Sequence, residues 1–579
     1  MHGEWTKSSG RRSGARHQAP SKRHSTNSQH PSSTSTAIEN LKPQFALRTP
    51  AALLAAFLLA LFATLSYWEM KDDSLTIDER VYLPVGYAYW TERDFRLNPE
   101  HPPFAKLWGA LALLPMHLTL PPVPHTQHPA DDQMVFGSAL LFGANADEIL
   151  FRGRLPMLVL GILLAAFVFW WSRELHGAAG PGLLSLLLIV FEPTTLAHSH
   201  YVATDVPLAC FSVMAMFFLW RFAERGGGMA NLVLAALGLA LALGSKFTAV
   251  FLAPVFFALL LIRWPTERNR RDARGLRARF VALVAIVIFV AVIVQGFYFF
   301  SPDLTLYFKG LQRVNAYSIP QAVLPYINGR FVPGGAWWYW FYVLALKLPL
   351  ATLILIIIAA VALFRRKISK TDMMYVLLPA GVYLAATCAL ANNLGIRYLI
   401  PVIVFLLVFT GRAWFVLTPC RAGKLAATVL AGWLVVSVLR ISPHYISYFN
   451  ESIGGAENAA YYLDDSNVDW GQDLLRLMRY FQRKEINEAV LSYWGPAPPD
   501  YDGERFGVRV KPWTNTIATE PDPGVYAISV NDLTGVLREM AAGRRPFDSR
   551  MDWLHLYRPV GRVGYSIYIY KFPARPRLN

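Results

Sequence analysis

The feature that most limits what this chain can become is a series of apolar runs, each close to the ~20 residues that a helix needs to cross a hydrocarbon core. They fall at roughly 49–68, 154–172, 178–195, 205–222, 230–244, 247–263, 280–299, 338–363, 374–391, 399–417 and 423–439. One crossing per run predicts a polytopic α-helical membrane protein with about eleven transmembrane helices. The run "FAKLWGALALLP" (104–115) is too short and is expected to lie along the interface or re-enter. Of 579 residues, 54% are hydrophobic and only 16% are charged, whereas soluble domains carry about a quarter charged residues. The formal net charge is +16, but the basic residues are dispersed between apolar runs. Nucleic acid needs a collected basic face, so no nucleic-acid partner is expected.

Basic loops set the expected orientation. Residues 1–48 are rich in Ser, Thr, His, Arg and Lys and contain no apolar run. They predict a disordered, basic cytoplasmic arm. The loops "RWPTERNRRDARGLRAR" (263–279) and "FRRKISK" (364–370) belong on the same side. That requires the long run 229–262, interrupted by Gly244-Ser245-Lys246, to cross twice with a tight turn. The segments 69–153, 196–204, 300–337 and everything from 441 then lie outside. The chain thus divides into the arm, a membrane module over 49–440 with a large outer loop at 69–153, and an extracytoplasmic domain over 441–579. In that last part "QDLLRLMRYFQRK" has helical spacing, while "EAVLSYWG", "GVYAISV" and "GYSIYIYKF" read as strands, predicting a small α/β domain. Cys210, Cys388 and Cys420 offer neither a disulfide framework nor a cysteine metal site.

Several polar residues share the expected outer face. Asp78 and Glu79 sit in "TIDERVYLPVGYAYW", Lys246 at its turn and Arg397 in "NNLGIRY". Transfer of a group from a lipid phosphate needs no general acid, because phosphate already leaves well. It needs one carboxylate to take the acceptor proton and fixed cations to hold the phosphate charge. Asp78 or Glu79 can be the first, Lys246 and Arg397 the second. The same residues also fit a solvated acidic pair or helix cap, and cations that snorkel to the interface. Asp205 in "SHYVATDVPL", followed by Pro207, reads as a helix start, and a cap at the rim also faces the cavity. The Pro-bounded turn "NPEHPP" presents Glu100 and His101, two candidate ligands for a divalent metal, which specify little by themselves. Lys106 can snorkel or touch phosphate. In "DDSNVDWGQD" (464–473) Asp465, Asn467 and Asp469 alternate as in a calcium loop, but Trp470 and Arg476 stand where that pattern wants Gly and Glu. A capping box, Asp469-x-x-Gln472, with a helix starting near 470 fits better.

Taken together, "TIDERVYL…NPEHPPFAK", "SHYVATDVPL", "GLALALGSKFTAVF" and "GIRYLIP" resemble the protein O-mannosyltransferase and lipid A aminoarabinose transferase superfamily of C-type membrane glycosyltransferases. "HYISYFNESIGGAENAAYYLDDSNVDWGQDL" is similar to the tail of a bacterial branch of that group, and the likeness covers roughly 49–480. It implies a GT-C fold and a bacterial inner membrane location, with the N-terminus cytoplasmic and the C-terminal domain periplasmic or extracellular. It also implies hexosyl or pentosyl transfer, with inversion, from a polyprenyl-phosphate sugar donor to a protein, lipid or glycan acceptor. Residue by residue, the resemblance makes Asp78 the base with Glu79 beside it and gives Asp205 a supporting role. Lys246 and Arg397 would meet the lipid phosphate, with Arg154 assisting. Related transferases carry a lysine next to the Glu100 position, where this chain has His101, so the metal or phosphate role of that turn stays open. The competing class is a transporter or lipid-carrier flippase. Such a protein places ionisable residues near the midplane in broken helices, whereas these spans are nearly free of charge inside and the acids gather at one rim.

Overall fold

The computed structural model describes residues 49–124, 129–263, 273–317, 325–365, 370–513, 522–534 and 558–573. The basic arm 1–48 and the centres of the two basic loops, 264–272 and 366–369, lie outside the described residues. Eight described helices are long and apolar enough to cross a membrane: Pro50–Met70, Ala146–His176, Asp205–Glu224, Gly228–Ser245, Arg279–Gly296, Thr371–Leu390, Ile396–Leu417 and Arg421–Leu439. A bent pair raises the number to nine. The difference from eleven lies in three runs, and each has a local cause.

The run 338–363 is not one rod. Helices Tyr339–Lys347 and Leu350–Arg365 meet at 114°. Leu348 has extended backbone (φ −79°, ψ 139°), the region that a residue before proline prefers, and Pro349 has no N–H to continue the ladder. The run 178–195 divides into Ala179–Val190 and Pro193–His198. Between them the Glu192 carboxylate accepts from the Thr194 and Thr195 N–H groups at 3.2 and 2.6 Å, starting a new helix there. The run 229–262 breaks where Gly244-Ser245-Lys246 suggested, with Lys246 extended (φ −152°, ψ 138°). Two ion pairs show that the chain reverses. Lys246 meets Asp205 at the start of helix 205–224 at 2.6 Å, while Arg263 returns to Glu224 at its far end at 2.8 Å.

Residues 49–579 form one compact unit, with packing continuous through 440. The reason is visible at the bend. Asn450 Nδ2 donates to the Ala345 and Leu348 carbonyls at 2.6 and 2.8 Å, satisfying groups that the broken helix leaves open. Lys347 Nζ donates to the carbonyls of Ile446 and Asn467, both at 2.6 Å. Asn467 Oδ1 in turn accepts from the Ile396 N–H at 3.1 Å. A small hairpin, β1 (Tyr326–Ile327) and β2 (Arg330–Phe331), turns through Asn328 and Gly329 at φ 52° and 75°. It leans on the same region through Gly329 N–H to the Tyr461 carbonyl, 2.8 Å.

Beyond it lies the expected sheet. Strands β3 (Glu488–Ser492), β5 (Gly524–Ser529) and β7 (Ile567–Phe572) coincide with the three apolar runs, and the short β4 (Arg509–Pro512) and β6 (Gly561–Val563) complete it. The order is β4-β3-β5-β7-β6, with β4-β3-β5 parallel and β5-β7-β6 antiparallel. The helix before the sheet, Leu474–Arg483, begins later than the capping-box reading placed it. Gly471 sits at φ 89°, and the Asp469 and Gln472 side chains accept from Gly471 N–H (3.0 Å) and Trp470 N–H (2.7 Å). These bonds close a turn that the helix follows.

Asp469 ties this turn to the sheet. Ser529 Oγ donates to its carboxylate, and Asn531 Nδ2 donates to its carbonyl at 2.9 Å. Burial pushes the Asp469 carboxyl up to about 8, so the folded chain keeps a proton that the unfolded chain releases near pH 4. Its stabilising contribution is complete below pH 4 and is lost as pH rises to about 8. The difference in melting temperature between the native protein and Asp469→Asn should therefore change steadily across pH 4–8, with the variant gaining relative stability as pH rises. A difference independent of pH would contradict the assignment.

Candidate active site

Helix Ile77–Glu92 starts with Thr76 as its N-cap and Glu79 closing a capping box. Successive helical side chains are about 100° apart, so Asp78 and Glu79 leave the helix in different directions. Glu79 turns inward. It accepts from the Thr76 N–H and Oγ1 at 3.2 and 2.9 Å and from Arg154 Nε and Nη2 at 2.8 and 2.7 Å. Arg154 spends its remaining N–H groups on the carbonyls of Met70, Asp73 and Ser74, at 3.2, 2.8 and 2.8 Å. Both side chains are buried. All of the arginine's donors are engaged within the protein. Glu79 adjoins Asp78 in sequence but not in the cluster Asp78 enters.

Asp78 turns the other way, toward residues from three distant elements. Arg397, in the turn before helix Ile400–Thr410, places Nη1 2.7 Å from Asp78 Oδ2 and 3.6 Å from Asp205 Oδ2. Lys246, at the break between two helices, places Nζ 2.6 Å from Asp205 Oδ1. Asp205 is the first residue of its helix, after the N-cap Thr204, so it both starts the helix and joins the cluster. The result is two carboxylates and two cations at one end of the bundle. Asp78 keeps 17% of its side chain exposed, while Asp205 keeps 1%. Burial disfavours charge on Lys246, but Asp205 overcomes it and holds the ammonium above its usual pKa.

Aromatic faces line the cations. The Tyr398 ring lies 4.2 Å from Lys246 Nζ and 5.3 Å from the Arg397 guanidinium, and the Trp470 ring lies 4.5 Å from Arg397. His198 stacks on Trp470 at 5.3 Å and 15°. Sequence reasoning missed Trp470, Tyr398 and His198. Trp470 stood inside a quoted motif, but its neighbours drew attention as capping residues.

The "NPEHPP" turn differs from expectation. Lys106 is buried, and its Nζ donates to Tyr89 Oη (3.1 Å), the Asn98 carbonyl and Oδ1 (2.7 and 3.1 Å) and the His101 carbonyl (2.9 Å). It does not snorkel; it ties the turn together. Glu100 Oε1 pairs with Arg313 Nε at 2.8 Å, while its Oε2 has no hydrogen-bond partner among the described residues. Burial, with Lys246 and Lys106 nearby, keeps His101 neutral, its pKa well below the usual imidazole value. Glu100 and His101 belong to no group of three candidate metal ligands among the described residues. The group that does occur, Glu69, Asp73 and His200, has Arg476 Nη2 2.6 Å from Asp73.

Removing charge from Glu79 leaves the Arg154 guanidinium buried without its partner. Glu79→Gln should destabilise the protein by about 3–5 kcal/mol, read as a lower melting temperature in detergent. A Glu79→Gln protein with native stability and lost transfer would instead make Glu79 part of the chemistry.

Residues 135–308 match the family described as dolichyl-phosphate-mannose-protein mannosyltransferase. The matched segment contains Arg154, Asp205 and Lys246, with Asp78 and Arg397 to either side. No curated protein matches the sequence significantly. Among solved structures, the chain is similar to ArnT from Cupriavidus metallidurans bound to undecaprenyl phosphate, at 14% identity, covering 90% of this chain and 98% of that one, with a TM-score of 0.46. It is also similar to the oligosaccharyltransferase of Archaeoglobus fulgidus in the apo form, at 15% identity over 91% and 75% of the chains, TM-score 0.41. The Pmt1-Pmt2 complex of S. cerevisiae bound to the sugar donor aligns at 18% identity over 48% and 36%, TM-score 0.32. The family match and the order of the motifs together support the resemblance of this chain to the C-type membrane glycosyltransferases of the protein O-mannosyltransferase and lipid A aminoarabinose transferase superfamily.

Proposed function

We propose that this chain moves one sugar from a polyprenyl-phosphate-linked donor to the hydroxyl of an extracytoplasmic acceptor, inverting the anomeric carbon. The observation that carries this reading is the convergence of Asp78, Arg397, Asp205 and Lys246, from four separate elements, on one end of the helix bundle. In this scheme the acceptor oxygen bonds to the anomeric carbon from the face opposite the phosphate. The bond from that carbon to the phosphate oxygen breaks, and its electron pair stays on the lipid phosphate. The acceptor proton passes to the Asp78 carboxylate, whose Oδ2 is turned to Arg397 and whose Oδ1 serves the acceptor. Arg397 and Lys246 hold the charge that grows on the phosphate, and Asp205 holds both cations in place. Glu79, Arg154 and Lys106 shape the surroundings without meeting substrate.

The same reading puts the Asp78 end at the outer face of a bacterial inner membrane, with the N-terminus cytoplasmic and the region after 440 periplasmic or extracellular. The acceptor is a protein, lipid or glycan. Reporter fusions after Arg440 should accordingly be active outside the cytoplasm, and fusions at Arg225 inside. An active cytoplasmic reporter after Arg440 would reverse the orientation.

The chemical step has its own test. Asp78→Asn preserves shape and removes the proton acceptor, so sugar transfer should fall by about 10²–10⁴-fold. Binding of undecaprenyl phosphate should survive, because losing an acid beside a phosphate removes repulsion. Near-normal turnover by Asp78→Asn would take Asp78 out of the mechanism.

A further inference from the structure

We infer that Trp470, carried by the C-terminal region, is the positioning residue for Arg397 at the donor phosphate; the inference rests on the phosphate role of Arg397 proposed above. The two arginines of this end of the bundle are held in opposite ways. Arg154 is fixed by five hydrogen bonds. Arg397 has its Nη1 on Asp78, while its Nε has no hydrogen-bond partner among the described residues. Asp205 Oδ2 lies farther from Nη1, at 3.6 Å, and the plane of Arg397 rests against the face of Trp470 at 4.5 Å, with Tyr398 at 5.3 Å.

This has a consequence during turnover. When Asp78 takes the acceptor proton, the shorter of the two ion pairs of Arg397 loses its charge, at the moment when the phosphate needs the guanidinium most. The indole face does not titrate, so it keeps its hold through the step. A buried cation over an aromatic ring interacts more strongly than an exposed one, and Trp470 is 2% exposed.

The indole is itself firmly mounted. His198 stacks on it, and the Tyr201 ring meets it edge-on at 5.6 Å and 85°. Its backbone N–H is bonded by Gln472 at 2.7 Å, and Tyr493 Oη donates to the next carbonyl, that of Gly471, at 2.6 Å. Ser529 and Asn531, at the end of β5, hold Asp469 just before it. The sheet thus supplies a rigid base for one side chain that reaches the membrane module's charge cluster.

The test is a double-mutant cycle on the full-length purified protein, with binding of undecaprenyl phosphate as the readout and melting temperature recorded for each variant. Trp470→Leu should weaken binding by about 2- to 30-fold, the range of a cation–π contact from exposed to desolvated. The same substitution in an Arg397→Ala background should have no further effect. Trp470→Phe, which keeps an aromatic face, should recover most of the affinity and give a smaller coupling of the same sign, and it carries the cycle if Trp470→Leu does not fold. Equal losses in both backgrounds would make Trp470 a packing residue and overturn the inference. Wild-type binding by Arg397→Ala would overturn the phosphate role of Arg397 and the inference with it, a result distinct from equal losses.

Discussion

The fork between Arg154 and Glu79 is the interaction on which the rest of this end of the protein depends. One guanidinium gathers the end of the first span (Met70), the connecting segment (Asp73, Ser74) and the capping carboxylate of the next helix. The same carboxylate accepts from the Val202 N–H at 3.3 Å, joining the segment that leads to Asp205. A pair this deeply buried gains little net stability over an apolar equivalent, but it tolerates no loss of either partner. What it fixes is direction. With Glu79 locked inward, the helix phase leaves Asp78 one way to point, toward Arg397.

The cluster that results is balanced rather than strongly charged. Each cation already has a carboxylate within 2.7 Å. Unpaired charges at a low-dielectric rim would cost far more than paired ones, so the pairing lets the site exist without ligand. In the proposed reaction an arriving phosphate competes for cations already in place, which is preorganisation of the kind that favours charge developing in a transition state.

Much of this was legible in the sequence, and the failures are specific. Lys246 and Arg397 stood out because isolated cations at turns between apolar runs are rare, Asp78 because two acids adjoin just past the first run, and Asp205 as a helix start at the rim; the reversal at Gly244-Ser245-Lys246 was visible as an interruption. Which of two adjacent acids faces the cluster was not legible, because it depends on a partner, Arg154, 75 positions away. Lys106 looked like a snorkelling cation because nothing in the sequence announces that the Asn98 and His101 carbonyls turn back to meet it. The bend at Pro349 was written in the chain but hidden by unbroken hydrophobicity around it. Trp470 was hidden by its position. A residue after the last span reads as part of a separate domain until the fold brings it 4.5 Å from Arg397.

The central claim is that Lys246 and Arg397 receive the donor phosphate while Asp78 faces the acceptor. A structure of this protein with undecaprenyl phosphate bound tests it most directly. The account predicts the phosphate within hydrogen-bond distance of both Lys246 Nζ and the Arg397 guanidinium, with Arg154 still paired to Glu79 and Lys106 still within the "NPEHPP" turn. A phosphate held by Arg154 or Lys106, or seated away from the Asp78–Arg397–Asp205–Lys246 cluster, would contradict it.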